Sequence, residues 1–177
     1  SSAASDVYKR QVCIQGSRAD GHDYIEEACN LGASCILIEK LVSGGRMLKF
    51  PENVAVVLVK DTREALAGIS RIWFGSPADK LKVIGVTGTK GKSTTVTLLK
   101  DILDAYAEKN GLPMTGLTSS ARVYDGVTDA PAKLTTPENI DLYRNMDNAV
   151  NAGLKTMIVE VSSQALKYHR VGEIHFD

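Results

Sequence analysis

The chain has 177 residues, 44% hydrophobic and 24% charged, a globular composition with room for one large domain or two small ones. Its 21 Lys and Arg balance 21 Asp and Glu, which argues against nucleic acid or an anionic membrane as partner and leaves any bound anion to local geometry. The longest apolar run, VAVVLV at 54–59, is far shorter than the ~20 residues of a membrane helix. Three cysteines, odd in number and without CxxC spacing, point away from disulfides or zinc and toward a reducing cytoplasm.

The stretch DVYKRQ at 6–11 looks like one reading frame of the transposon-end oligonucleotide used in sequencing libraries, so residues 1–11 are set aside as foreign sequence. On that expectation the native start is missing and the end at Asp177 is equally arbitrary. From Val12 the text alternates strand-like and helix-like segments: VCIQG, then the helical HDYIEEACNLGA, then the β-branched CILIE. NVAVVLV follows as a second apolar strand, whose lack of alternation predicts a sheet covered on both faces. Asp61 offers an N-cap with Glu64 three residues on, and Ala65, Leu66, Ile69, Ile72 and Trp73 form a helical stripe. FGSPADK reads as a linker, dividing a domain at 12–79 from a second at 80–177.

The second half opens with the strand KVIGVT and the loop GTKGKST. A helix from Ser93 to about Lys109 carries Val96, Leu99, Ile102, Leu103 and Tyr106 on one face and stops at Asn110 and Gly111. ARVYDGVT is a candidate hairpin around Asp-Gly. In TTPENIDLYRNMDNAVNAG, Thr136 reads as a helix cap and Pro137 as the first helical residue. TMIVEV is a third buried strand, and EIHFD is a candidate fourth. The order predicts an α/β fold: a small N-terminal α/β domain, then a truncated, P-loop NTPase-like domain on a parallel sheet.

The chemistry concentrates in Gly88, Thr89, Lys90, Gly91, Lys92, Ser93 and Thr94. Glycines let consecutive N–H groups converge on phosphate oxygens, and the following helix N-terminus adds partial positive charge. Lys92 would reach the β- and γ-phosphates and Ser93 would complete a Mg²⁺ shell. The strict G-x-x-x-x-G-K-S/T spacing is not met, because Val86 stands where it needs glycine. A P-loop wants a carboxylate at a neighbouring strand tip, and Glu160 ends TMIVE in that position.

GVTGTKGKSTT, LTTPENIDLYRNM and VEVSSQALKYHRVGEIHFD resemble successive signature segments of the Mur ligases, the MurE type in particular, and GSRADGHDYIEEACNLGASCILIE resembles that type's N-terminal domain. The resemblance implies that Gly88 to Thr94 form the ATP loop, that Ser93 and Glu160 bind Mg²⁺, and that Lys92 and Glu160 carry catalysis. It implies that Thr135, Thr136, Ser162 and Arg170 meet the UDP-muramoyl substrate, and that Ser17, Arg18 and Ala19 meet the uridine. Chemically, Arg170 is a suitable fork for diphosphate or carboxylate, and paired threonines can donate to phosphate or sugar oxygens. Thr136 as cap and as ligand contact are compatible. Lys90 stands where the family usually has asparagine, Gln164 where it has histidine, and Tyr168 where it has a polar substrate contact.

The implied reaction is ATP-dependent amide ligation through an acyl phosphate, adding the third amino acid to UDP-N-acetylmuramoyl-L-Ala-D-Glu in peptidoglycan synthesis in the bacterial cytoplasm. Its partners are the UDP-N-acetylmuramoyl dipeptide, a diamino acid, ATP and Mg²⁺. The family continues through more ATPase domain and a C-terminal domain that selects the amino acid, so the resemblance implies an inactive fragment whose choice of diamino acid and oligomeric state are unreadable. Rival readings are the MurF type, a folylpolyglutamate synthetase, or a nucleotide-binding module that ligates nothing; a P-loop kinase or GTPase lacks a base-recognition motif here.

Overall fold

The computed structural model of the chain describes residues 10–16 and 19–177. Residues 1–9, most of the segment set aside as foreign, lie outside the described residues, as do Ser17 and Arg18. The contacts divide the chain into two units, Ser1–Ala65 and Leu66–Asp177.

In the first unit, β1 (Arg10–Val12), β2 (Cys35–Ile38) and β5 (Ala55–Leu58) form a parallel sheet in the order β1-β2-β5. Arg10 and Gln11 of the set-aside segment lie in β1, opposite Cys35 and Ile36. A short helix, α1 (Ile25–Asn30), precedes β2, and β3 (Val42–Ser43) pairs with β4 (Arg46–Met47) as a small hairpin. Cys13, Ile25, Ala33, Ile36, Ile38 and Val54 make the core. Burial pushes the Cys13 thiol up to about 11, so it stays protonated. The two-sided covering expected of the second apolar strand is not found: β5 is an edge strand, and its Leu58 is 57% exposed. The pattern VAVV fits a central strand, but in this sheet, among the described residues, β2 is the strand with neighbours on both sides.

Polar bonds fasten this unit where its sheet ends. The His22 ring lies buried, Nδ1 2.6 Å from Asp20, while Nε2 accepts the Glu39 N–H at 3.1 Å. Glu39 accepts from the Thr62 N–H at 2.7 Å and its hydroxyl at 2.6 Å, and Asp61 accepts from Arg63 and Glu64 amides at 2.7 and 3.0 Å as the expected N-cap. Burial works to raise the Asp20 carboxyl, but hydrogen bonds from Lys40, the His22 amide and the His22 ring outweigh it and hold Asp20 far below the usual carboxylate range. A depressed carboxylate contributes stability that is complete above its unfolded value of about 4 and is lost as pH falls through the folded value. Thermal melts of Asp20→Asn and the parent should therefore differ at pH 7 and converge as the pH is lowered below about 4; a gap that persists unchanged to pH 2.5 would count against this network.

α2 (Thr62–Trp73) crosses the division between the units. Its expected apolar stripe lies outward, with Ile72 79% and Trp73 65% exposed, and its buried positions are Thr62, Ala67 and Ser70. The reason is close approach: a Cβ added at Gly172 would stand 3.2 Å from Ala67 Cβ, so small residues form the inner face. FGSPADK is not a loose linker either. Pro77–Lys80 is a 3-10 turn with Pro77 and Ala78 buried, and Ala78 belongs to the core that includes Leu142, Tyr143 and Met146.

The second unit carries β6 (Lys82–Val86), α3 (Lys92–Asn110), β7 (Gly116–Thr118), β8 (Arg122–Tyr124), β9 (Asp129–Pro131), α4 (Asn139–Asn151), β10 (Thr156–Glu160) and α5 (Ser163–Lys167). The strand order is β6-β10-β7-β8-β9. β6, β10 and β7 are parallel, but the expected Asp-Gly hairpin, β8–β9, joins antiparallel to β7 and makes the sheet mixed. Asp125, fully buried, accepts the Val127 and Thr128 amides and the Asn148 amide group, which closes that turn. The EIHFD strand does not form among the described residues; Asp177 instead exchanges two bonds with Val83, its N–H to the carbonyl and its carboxylate from the amide, both at 2.9 Å.

On α3, Val96, Leu99 and Leu103 pack inward with Leu117 and Ile158, but Ile102 and Tyr106 are exposed. Lys100 takes the inner place. Its ammonium bonds Asp104 and the Thr115 carbonyl, both at 2.6 Å, and lies 4.5 Å from the Tyr124 ring centre. A buried lysine is admissible because each partner is in place, and periodicity of apolar residues does not reveal it. Among the described residues no helix is long and apolar enough to cross a membrane.

Candidate phosphate and cation site

The three parallel strands β6, β10 and β7 end at one edge of the sheet, where ligands collect in open α/β folds. From β6 the chain passes through Gly88, with φ 149°, to Gly91, with φ 79°, and enters α3 at Lys92. Gly91 caps the helix without a side chain, so the first-turn N–H groups keep their donor capacity. The Lys92 ammonium folds back onto the Gly88 carbonyl at 2.8 Å, placing positive charge over the loop. Gly88, Thr89, Lys90 and Thr94 are all exposed. An uncapped helix N-terminus with a lysine at its first residue is suited to a phosphate chain.

Glu160 closes the central strand β10, paired with Val86 of β6. Its side chain is buried, with 2% exposure for the residue. One carboxylate oxygen accepts from the Ser93 hydroxyl at 2.9 Å, which joins the strand tip to the first turn of α3. The other accepts from the Ser120 amide at 2.8 Å and its hydroxyl at 3.1 Å. The two serine hydroxyls are 2.8 Å apart. Among the described residues the donors to the carboxylate are neutral, so they solvate its charge without cancelling it.

This donor set fits a hard divalent cation. It is all oxygen, and Mg²⁺ is ordinarily held by one or two protein groups plus substrate phosphates. Neighbouring ligands of an octahedral ion at about 2.1 Å stand about 3 Å apart, close to the separation of the Ser93 and Glu160 oxygens at 2.9 Å. Among the described residues no group of three His, Cys, Asp or Glu could hold a metal alone.

Behind Glu160 the other predicted residues converge. Thr136 is fully buried; its hydroxyl donates to the Glu160 carbonyl at 2.7 Å and accepts the Ser162 N–H at 3.0 Å. It is therefore not the cap of α4, which starts two residues later than expected with Glu138 as cap and Pro137 before the helix. Ser162 caps α5, accepting the Ala165 N–H at 3.1 Å. Arg170 donates to the Thr136 carbonyl at 3.2 Å and pairs with Glu138 at 2.5 Å, and its buried Nε has no partner among the described residues. Thr135 is half-buried beside Thr136. The structure thus brings Thr136 and Ser162 to the base of Glu160, with Arg170 bonded to the Thr136 carbonyl. Ala19 lies in the first unit, exposed, its carbonyl accepting from the Gly16 N–H at 2.9 Å. Sequence reasoning missed Ser120, for which the only signal was its place after a buried strand.

Replacing Thr136 with valine would leave the Ser162 amide and the Glu160 carbonyl short of a partner. Unfolding of the second unit should lose about 1–3 kcal/mol, measured by denaturant titration; an unchanged midpoint would show that the hydroxyl is dispensable.

A family model described as "Mur ligase middle domain" matches residues 86–177, and one described as "Mur ligase family, catalytic domain" matches residues 8–73. A UDP-N-acetylmuramoyl-L-alanyl-D-glutamate--2,6-diaminopimelate ligase of Clostridium perfringens is 40% identical over 166 residues, 94% of this chain and 32% of that protein. A ligase of the same name from Aquifex aeolicus is 37% identical over 164 residues, 93% of this chain and 31% of that protein. The chain spans about a third of the length of these curated relatives. A solved structure of a ligase of that name superposes with a TM-score of 0.63 over 92% of this chain and 31% of that one, at 14% identity, a likeness of fold. With one of the two models covering more than half of its residues, the chain belongs to the Mur ligase family.

Proposed function

We propose that the chain is part of an ATP-dependent ligase that joins 2,6-diaminopimelate to the D-glutamyl carboxylate of UDP-N-acetylmuramoyl-L-alanyl-D-glutamate. The observation that carries this reading is the 2.9 Å bond between Ser93, on the first turn behind the glycine loop, and the buried Glu160 at the neighbouring strand tip. In this reading Gly88 to Thr94 hold the ATP phosphates through backbone N–H groups, and Lys92 leaves the Gly88 carbonyl to reach the β- and γ-phosphates. Ser93 and Glu160 hold Mg²⁺, which supplies charge neutralisation where two anions must approach. A substrate carboxylate oxygen attacks the γ-phosphorus as the bond to ADP breaks; the incoming neutral amine then attacks the acyl carbon, phosphate leaves and the nitrogen gives up a proton to water.

Ser162 and Arg170 face the muramoyl substrate, the Arg170 guanidinium exchanging its pairing with Glu138 for the substrate's anionic groups. Thr136 serves from behind, because its hydroxyl is already committed to Glu160 and Ser162. Thr135 contacts the substrate, and Ser17, Arg18 and Ala19 meet its uridine. In the same reading the first domain ends at Asp79 and the second begins at Lys80, while Arg10 and Gln11, paired with β2 and inside the matched span, belong to the first domain and not to a foreign segment. A reaction on a UDP-linked precursor that uses ATP belongs to the bacterial cytoplasm.

The test is an assay of the complete gene product. ADP release should require ATP, Mg²⁺, the UDP-muramoyl dipeptide and diaminopimelate together. ATP binding with no amide formed under those conditions would favour the nucleotide-binding module instead.

A further inference from the structure

Resting on the nucleotide reading above, we propose that Ser120 is a positioning residue for the cation, holding the Glu160 carboxylate so that one oxygen faces Ser93. Ser120 follows β7, the strand beside β10. Its amide and hydroxyl both bond the same carboxylate oxygen, at 2.8 and 3.1 Å, and leave the other to Ser93 at 2.9 Å. The terminal torsion of a glutamate is broad, so the carboxylate would otherwise turn freely. Two donors on one oxygen set that torsion.

The turn itself does not need the Ser120 hydroxyl. Ser119 closes it: its amide and hydroxyl donate to the Arg122 carbonyl, and its oxygen accepts the Ala121 and Arg122 amides. Ser119 is buried and spent on the loop, while Ser120 is exposed at the mouth of the site with its hydroxyl 2.8 Å from that of Ser93. A serine kept for the turn would show the opposite arrangement. Removing a group that orients a metal ligand typically weakens metal binding by 10–100-fold, and the retained Ser120 amide places the effect near about 10-fold.

The experiment titrates the full chain with Mn²⁺ in the presence of ADP, reading free Mn²⁺ by electron paramagnetic resonance, and measures ADP affinity separately in chelator. Ser120→Ala should weaken Mn²⁺ binding about 10-fold with metal-free ADP affinity unchanged, and Ser120→Thr, which keeps the hydroxyl, should restore it. Unaltered Mn²⁺ binding in Ser120→Ala overturns the proposal, as does an equal loss of metal-free ADP binding, which would mark a purely structural role. If the parent chain binds ADP with no Mn²⁺ response, the cation assignment falls while the phosphate loop stands. If it binds no ADP at all, the nucleotide reading itself fails and takes this inference with it.

Discussion

Lys92→Ala, introduced into the complete gene product, is expected to lower the rate of ligation by at least about a hundredfold while barely moving the thermal unfolding midpoint. The transfer brings a carboxylate against a polyphosphate, and a fixed ammonium at the site of developing charge is worth on the order of 10²–10³ in rate. The folded state depends little on this side chain, which among the described residues bonds the exposed Gly88 carbonyl at 2.8 Å. A bond of that kind contributes about 1 kcal/mol. Steady-state kinetics beside a melt checks both halves. Turnover within a few-fold of the parent would contradict the assignment, and a collapsed melt would assign the lysine to folding instead.

Glu160→Gln is expected to separate function from stability in the opposite sense to a core mutation. The carboxylate is buried and its donors among the described residues are neutral, so it is held at a desolvation cost. Glutamine keeps the shape and can still accept from the Ser120 amide while removing the charge. Thermal stability without metal should stay level or rise, whereas metal-dependent nucleotide binding should fall by more than about 10-fold, because the anionic ligand is gone. A stability loss of several kcal/mol with metal binding intact would show that Glu160 is a structural acid.

The glycine loop was legible because its requirements are local. Gly91 needs a positive φ, an apolar strand must precede it and a helix must follow, and all three are written within residues 82–109. Glu160 was legible for a related reason, as an acid ending an apolar strand. The packing faces were not legible where small or charged residues line them. Counting large apolar side chains assigned Ile72 and Trp73 to the inside of α2, but the close approach of Gly172 reserves that face for Ala67. The same counting passed over Lys100, whose burial depends on Asp104 and a carbonyl at Thr115 that only the fold brings near. Thr136 looks like a cap because a threonine before a proline starts many helices; its hydroxyl instead holds the chain at Glu160 and Ser162, more than twenty residues away. Ser120 carried no motif at all, and its role arises from β7 lying beside β10.

The most direct test is a crystal of the chain grown with ADP and Mn²⁺, with anomalous difference density collected for manganese. The account predicts phosphates against Gly88–Thr94 and one manganese peak at about 2.1 Å from both the Ser93 hydroxyl and a Glu160 oxygen. Nucleotide bound elsewhere, or a metal peak beyond coordination distance of Glu160, would contradict it.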